Sequence, residues 1–99
     1  MRRGSTPTFV FTLPIDSSYF SAITIVFVQD GREVMAVERP SLTLNGKDIS
    51  FVMSEEQSLA FAPSRNAEIQ IRLVTPDGTV LVSDIRTLPI RKKYPEDAL

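Results

Sequence analysis

The sequence has no cysteine, no histidine and no tryptophan. Without cysteine there is no disulfide framework and no thiolate metal site. Without histidine there is no imidazole ligand, and no side chain whose ordinary pKa sets a proton switch near neutrality. An excess of one charge is missing too. The 11 Lys and Arg face 12 Asp and Glu, a net of −1, so no bulk attraction to nucleic acid or an anionic membrane is expected. Apolar runs are short. The densest, Ile23-Thr24-Ile25-Val26-Phe27-Val28, falls far below the roughly 20 residues of a membrane-spanning helix. Met1-Arg2-Arg3 has the charge of a secretory leader, but Pro14 breaks the segment after it and no small-residue cleavage pattern follows. Synthesis in the cytoplasm is therefore expected.

What is present belongs to a packed domain. The chain has 99 residues, 42% hydrophobic and 23% charged, which suits a globular fold rather than a disordered tail. One domain over residues 1–99 is expected, with flexible ends at about 1–6 and 91–99.

Turn chemistry gives the architecture. Three of the four glycines sit in the dipeptides Asp30-Gly31, Asn45-Gly46 and Asp77-Gly78, which tolerate the positive φ of tight hairpin turns. Each is flanked by β-rich segments. These are Ile23 to Gln29 and Arg32 to Glu38, then Leu42 to Leu44 and Asp48 to Met53, then Glu68 to Thr75 and Thr79 to Ile85. A further strand is expected from about Thr8 to Leu13, where Phe9, Phe11 and Leu13 alternate with Thr8, Val10 and Thr12. Seven short strands read as an all-β sandwich.

Ser54-Glu55-Glu56-Gln57 has the form of a capping box. It predicts one short helical turn, pinned by Leu59 and Phe61 and ended by Pro63. The tetrapeptides Thr12-Leu13-Pro14-Ile15 and Thr87-Leu88-Pro89-Ile90 put a proline on the first and last strands, which suits sheet edges. Two-residue alternation predicts Phe9, Phe11, Ile25, Phe27, Phe51, Ile69, Ile71 and Leu73 as core. Val26 and Val28 make both faces of their strand apolar, so that strand is either covered on both sides or carries an interface.

Catalytic constellations are not visible. The carboxylates Asp16, Asp48, Glu55, Glu56, Asp77 and Asp84 fall in turns or at a helix start, with no sign of the cleft that paired-carboxylate chemistry requires. No calcium loop and no glycine-rich phosphate loop occurs. Ser17, Ser18 and Ser83 have no histidine to activate a hydroxyl. No catalytic residue, cofactor, metal or small-molecule substrate is expected. Strands around a short helix also describe an OB-fold that binds single-stranded nucleic acid. The aromatics, however, fall at alternating apolar positions where packing accounts for them.

Charge is uneven along the chain. Residues 4–85 carry 5 basic and 10 acidic side chains. Arg2 and Arg3 stand before them, and Arg86, Arg91, Lys92 and Lys93 after them, followed by Tyr94. A sandwich with an odd number of alternating strands starts at one pole and ends at the other. The basic ends are therefore expected to project from opposite poles of an acidic body. Arg2, Arg3, Arg91, Lys92, Lys93 and Tyr94 are the candidate interaction residues.

Several motifs carry a resemblance. They are Arg3-Gly4-Ser5-Thr6-Pro7-Thr8, Phe11-Thr12-Leu13-Pro14-Ile15-Asp16, Leu44-Asn45-Gly46, the Ser54–Gln57 turn, Ile69-Gln70-Ile71-Arg72-Leu73-Val74-Thr75, Asp77-Gly78 and Ser83-Asp84-Ile85. Over residues 3–88 the chain resembles small proteins of prophage structural-gene modules in gut Firmicutes. The resemblance implies a virion-associated role in the head–tail or tail region and transfers no catalytic residue. The residues after Pro89 lie outside it.

The expectation is an all-β, immunoglobulin-like two-sheet sandwich of about seven strands with one short helical turn. Its function is that of a non-enzymatic phage virion structural or adaptor protein, made in the host bacterial cytoplasm. It acts by protein–protein contact with other phage structural proteins or with copies of itself, without nucleic acid or membrane. The alternatives are a phage-encoded inhibitor of a host protein and an OB-type single-strand nucleic-acid binder.

Overall fold

The computed structural model describes residues 1–91. Among them are eight strands and one α-helix: β1 (Thr8–Thr12), β2 (Ala22–Gln29), β3 (Arg32–Glu38), β4 (Thr43–Asn45), β5 (Asp48–Val52), α1 (Glu55–Leu59), β6 (Asn66–Val74), β7 (Val80–Val82) and β8 (Arg86–Pro89). Two 3-10 turns, Ser17–Tyr19 and Arg39–Ser41, lie on the connections into β2 and β4. The strands form two antiparallel sheets. One has the order β1-β5-β4; the other runs β3-β2-β6-β7, with β8 also paired to β6. This is an immunoglobulin-like two-sheet sandwich. The order β1-β5-β4 corresponds to strands B, E and D of an immunoglobulin sandwich and β3-β2-β6-β7 to C′, C, F and G, so β1 takes the place of strand B. An OB-fold is one partly open barrel, and the described residues form two separate sheets instead.

The alternation read from sequence sets the facing surfaces. Phe9 pairs with Phe51 and Phe11 with Ile49 in the first sheet. Ile23, Ile25 and Phe27 pair with Leu73, Ile71 and Ile69 in the second. Phe27 joins the layers: its ring lies 5.4 Å from Phe9, 6.3 Å from Phe51 and 5.9 Å from Phe61. Seven of the eight expected core residues are buried, and Phe9 is half-buried against them. Val26 and Val28 are half-buried on the outer face of β2, so that face is neither a second core nor bare.

The turns obey their glycines in three ways. At Asp30-Gly31 both residues have positive φ, 54° and 75°, the two-residue turn that matches strand twist. At the second hairpin Asn45 stays in β4. Gly46, with φ 60°, takes the first central position instead. At the third, Pro76, Asp77 and Gly78 bridge Thr75 and Thr79, whose backbone N–H and carbonyl meet at 2.9 Å.

Helix α1 begins as expected. The Ser54 hydroxyl accepts from the Gln57 N–H at 3.1 Å, and Gln57 Oε1 accepts from the Ser54 N–H at 2.8 Å. Buried Gln29 holds the loop that follows. Its Oε1 accepts from the Ala62 N–H at 2.7 Å, and its Nε2 donates to the Ala62 carbonyl at 3.0 Å. A buried amide satisfied this way fixes the loop against the end of β2.

The termini overturn the expectation of opposite poles. Both lie beside α1. Arg2 and Arg91 form a parallel bridge. The Arg3 N–H donates to the Arg91 carbonyl at 2.7 Å, and the Arg91 N–H donates to the Met1 carbonyl at 2.7 Å. The reason is that β7 and β8 both run antiparallel to β6. Together they return the chain to the start of β6, next to α1 and the start of β1. The first residues are therefore hydrogen-bonded into the fold rather than forming a free arm.

Candidate protein-contact site

Of the six candidate interaction residues the structure describes Arg2, Arg3 and Arg91. Arg3 is committed inward. Its Nε donates to the Phe61 carbonyl at 2.7 Å and its Nη2 to the Leu59 carbonyl at 3.0 Å. Helix α1 has acidic residues in its first turn and no basic residue in its last, so Arg3 brings a positive charge and a donor to its last carbonyl, that of Leu59, and also holds the Phe61 carbonyl just beyond the helix. Arg2 and Arg91 are exposed and joined through backbone pairing. Lys92, Lys93 and Tyr94 lie outside the described residues.

The structure instead exposes a strand. On β7, Val80, Leu81 and Val82 are 44%, 43% and 56% exposed, and nearby Ile85 is 57% exposed. Strand β7 pairs with β6 on one side and forms an edge of its sheet on the other. Its two neighbouring ends show how it is held. At the turn, the Asp77 carboxylate accepts from the Thr79 N–H at 3.1 Å and from the Thr75 hydroxyl. These bonds, the Thr75 hydroxyl first, hold its pKa below the ordinary carboxylate value. Beyond Val82, the Ser83 N–H donates to the Ile71 carbonyl at 2.9 Å while the Ser83 hydroxyl accepts from the Ile71 N–H at 2.9 Å. Ser83 thus closes the ladder with its side chain. Pairing resumes only at Arg86, opposite Ile69. Asp84 and Ile85 together face the single residue Gln70, which is a β-bulge, and Ile85 is turned outward.

Sheet edges attract foreign strands unless something blunts them. Edge strand β3 carries Arg32, Glu33 and Glu38, and edge strand β4 is three residues long. Strand β7 is as short as β4 and is followed by the bulge, yet it has neither charge nor proline and exposes all three of its side chains; edge strand β1 also lacks both, but among its large apolar side chains it exposes only Val10. Beside it a groove of about 210 Å³ separates β7 from β1, lined by Phe11, Leu13, Ile71, Leu73 and Leu81, with Arg86. The Arg86 guanidinium sits 5.8 Å from the Phe11 ring centroid, a cation–π distance. A larger groove of about 650 Å³ lies near the 3-10 turn before β4, among Ile23, Glu38, Arg39, Leu42 and Arg72. There the Arg39 guanidinium is spent on the Phe20 carbonyl at 2.7 Å.

Among the described residues no group of three acidic side chains is placed to hold a metal, and no helix is long and apolar enough to cross a membrane. Sequence reasoning found β7 as the outer strand of the last hairpin but missed its exposure. The signal was Val80-Leu81-Val82 itself, an apolar run without alternation.

No family model matches the sequence, and no curated protein matches it. Among solved structures, the chain is similar to the V domain of amphioxus IgVJ-C2, at 12% identity and a TM-score of 0.36, over 91% of this chain and 96% of that one. It is also similar to Drosophila OTK extracellular domains 3–5, at 17% identity and a TM-score of 0.36, over 92% of this chain and 30% of that one. The functional reading rests on neither likeness; it rests on the exposed flank formed by β7 and its groove.

Proposed function

We propose that this chain is a non-enzymatic structural or adaptor protein of a phage virion, in the head–tail or tail region, acting by protein–protein contact. The observation that supports the contact role is the β7 edge: three consecutive apolar side chains, exposed on both faces of a strand with one unpaired side. An extended partner segment laid along such an edge gains backbone hydrogen bonds and covers apolar side chains at once. The virion assignment is supported by the resemblance of residues 3–88 to prophage structural-gene products. The smaller groove fits this role, being lined mainly by apolar packing residues with Arg86 over the Phe11 ring.

Quantitative mass spectrometry of purified particles tests the proposal. The chain is expected at a fixed copy number per particle, and Val82→Lys is expected to lower that number. Absence from particles together with capture of a host protein would replace it with the inhibitor reading. Salt-sensitive retention of a single-stranded oligonucleotide would replace it with nucleic-acid binding.

A further inference from the structure

We infer that the partner taken by the β7 edge is a second copy of this chain, paired antiparallel about a two-fold axis through Leu81. The inference rests on the contact role proposed for this edge and names its occupant.

Three observations carry it. The first is the direction of the backbone groups. Thr75 bonds Thr79, and Ser83 bonds Ile71, while Leu73 is the register partner of Leu81. Bonded pairs alternate along an antiparallel ladder. Leu81 therefore directs its N–H and carbonyl toward β6, and Val80 and Val82 direct theirs outward. If Leu81 faces its symmetry mate, Val80 of each copy meets Val82 of the other. The outward groups then fall into two bonded pairs, leaving Leu81 opposite Leu81 as the close, non-bonded pair at the axis.

The second observation is the sequence of the edge. Thr79-Val80-Leu81-Val82-Ser83 reads nearly the same in both directions. A two-fold interface must be self-complementary, with each residue of one copy meeting the counterpart of its own partner. In this register Thr79 meets Ser83, valine meets valine and leucine meets leucine. The apolar side chains on both faces are covered together.

The third is charge. One end of the edge carries Asp77. The other carries Arg86 and Asp84, with Arg72 beside Val82 on the neighbouring strand. The ends are thus −1 and +1, and antiparallel apposition sets unlike ends together. The patch as a whole is neutral, so two copies meet here without the repulsion between their acidic bodies being focused on the contact.

The absence of native cysteine gives a clean test on the full chain. Leu81→Cys places two thiols at the axis, where a non-bonded antiparallel pair has Cα atoms about 4.5 Å apart, within disulfide reach. Under mild oxidation it is expected to cross-link to a covalent dimer. Val80→Cys and Val82→Cys place their thiols on opposite sides of the axis and are expected to stay largely uncross-linked. Light scattering is expected to give the wild type a mass rising toward twice the chain mass with concentration. Leu81→Lys and Val82→Lys are expected to remain at the chain mass with an unchanged circular-dichroism spectrum. A wild type that stays monomeric up to about 1 mM, where even an association of about −4 kcal/mol would show, would overturn the self-pairing. So would equal cross-linking from all three cysteine positions. If the lysine variants also lose incorporation into particles while the wild type is monomeric, the contact role stands and only the second-copy assignment falls. If the wild type dimerises as described but is absent from particles, the self-pairing stands and the virion assignment falls.

Discussion

Two regions of this molecule exchange the parts their sequences suggest. The pole that gathers Met1–Arg3, α1 and Ile90–Arg91 is rich in charge and chain ends, the usual marks of a loose surface. It is tied by backbone bonds between Arg3, Arg91 and Met1 and by the Arg3 guanidinium on two carbonyls. The β7 flank has the residues of a buried strand, yet Val80, Leu81 and Val82 are all exposed. The difference teaches that charge along a chain does not report its availability. A guanidinium next to a helix C-terminus has unsatisfied carbonyls to serve. Nor does apolarity report burial, since a strand at the edge of a sheet has a neighbour on one side only.

The contrast can be broken or sharpened by substitution. The largest effect is expected at the pole's apolar base. Phe61 is almost wholly buried and packs its edge against Phe27. Phe61→Ala is expected to cost about 3–5 kcal/mol, a large part of the stability of so small a domain, measured by urea unfolding. A loss below about 1 kcal/mol would mean that the pole is as loosely held as its sequence suggests.

Arg3→Ala comes next. It removes two charge-assisted hydrogen bonds, one to the last carbonyl of α1 and one to the Phe61 carbonyl beyond it, and a loss of about 1–3 kcal/mol is expected. Arg3→Lys is expected to recover only part of it, because an ammonium cannot reproduce the fork that spans two carbonyls. Full recovery by Lys would reduce the role of Arg3 to net charge. At the other region, Val82→Lys is expected to change unfolding stability by no more than about 0.5 kcal/mol, as at other exposed sites, measured at a concentration where the wild type is monomeric. A large loss there would mean that β7 is held by its side chains rather than by its ladder.

The smallest effect is a pH dependence. The Ser18 hydroxyl, and then its N–H, lower the pKa of Asp16; the Thr75 hydroxyl, and then the Thr79 N–H, lower that of Asp77. A carboxylate depressed in the folded state adds stability above its unfolded value, here 3.8. That stability is lost as pH falls through the folded value. Asp77→Asn and Asp16→Asn are therefore expected to lower the melting temperature slightly at neutral pH. The difference from wild type should shrink as pH falls below 3.8. A difference that grows on acidification would contradict this assignment of the hydrogen bonds.

Residue spacing alone determined the local elements. Alternation at Phe9 and Phe11 and at Ile69, Ile71 and Leu73 sets which face is apolar, because side chains of a strand point to opposite sides in turn. Gly31 and Gly46 mark reversals because their φ is costly for other residues, and Ser54 with Gln57 starts α1 because each completes the other's backbone bond. The tertiary structure decided what these local rules do not contain. It placed β2 between β3 and β6 and brought Arg91 beside Arg2. It gave Arg3 two carbonyls that lie 56 and 58 residues away along the chain, and it left β7 without a neighbour on its outer side. Those outcomes depend on which strand lies beside which, and a period of two in the sequence gives a strand its faces but not its neighbours.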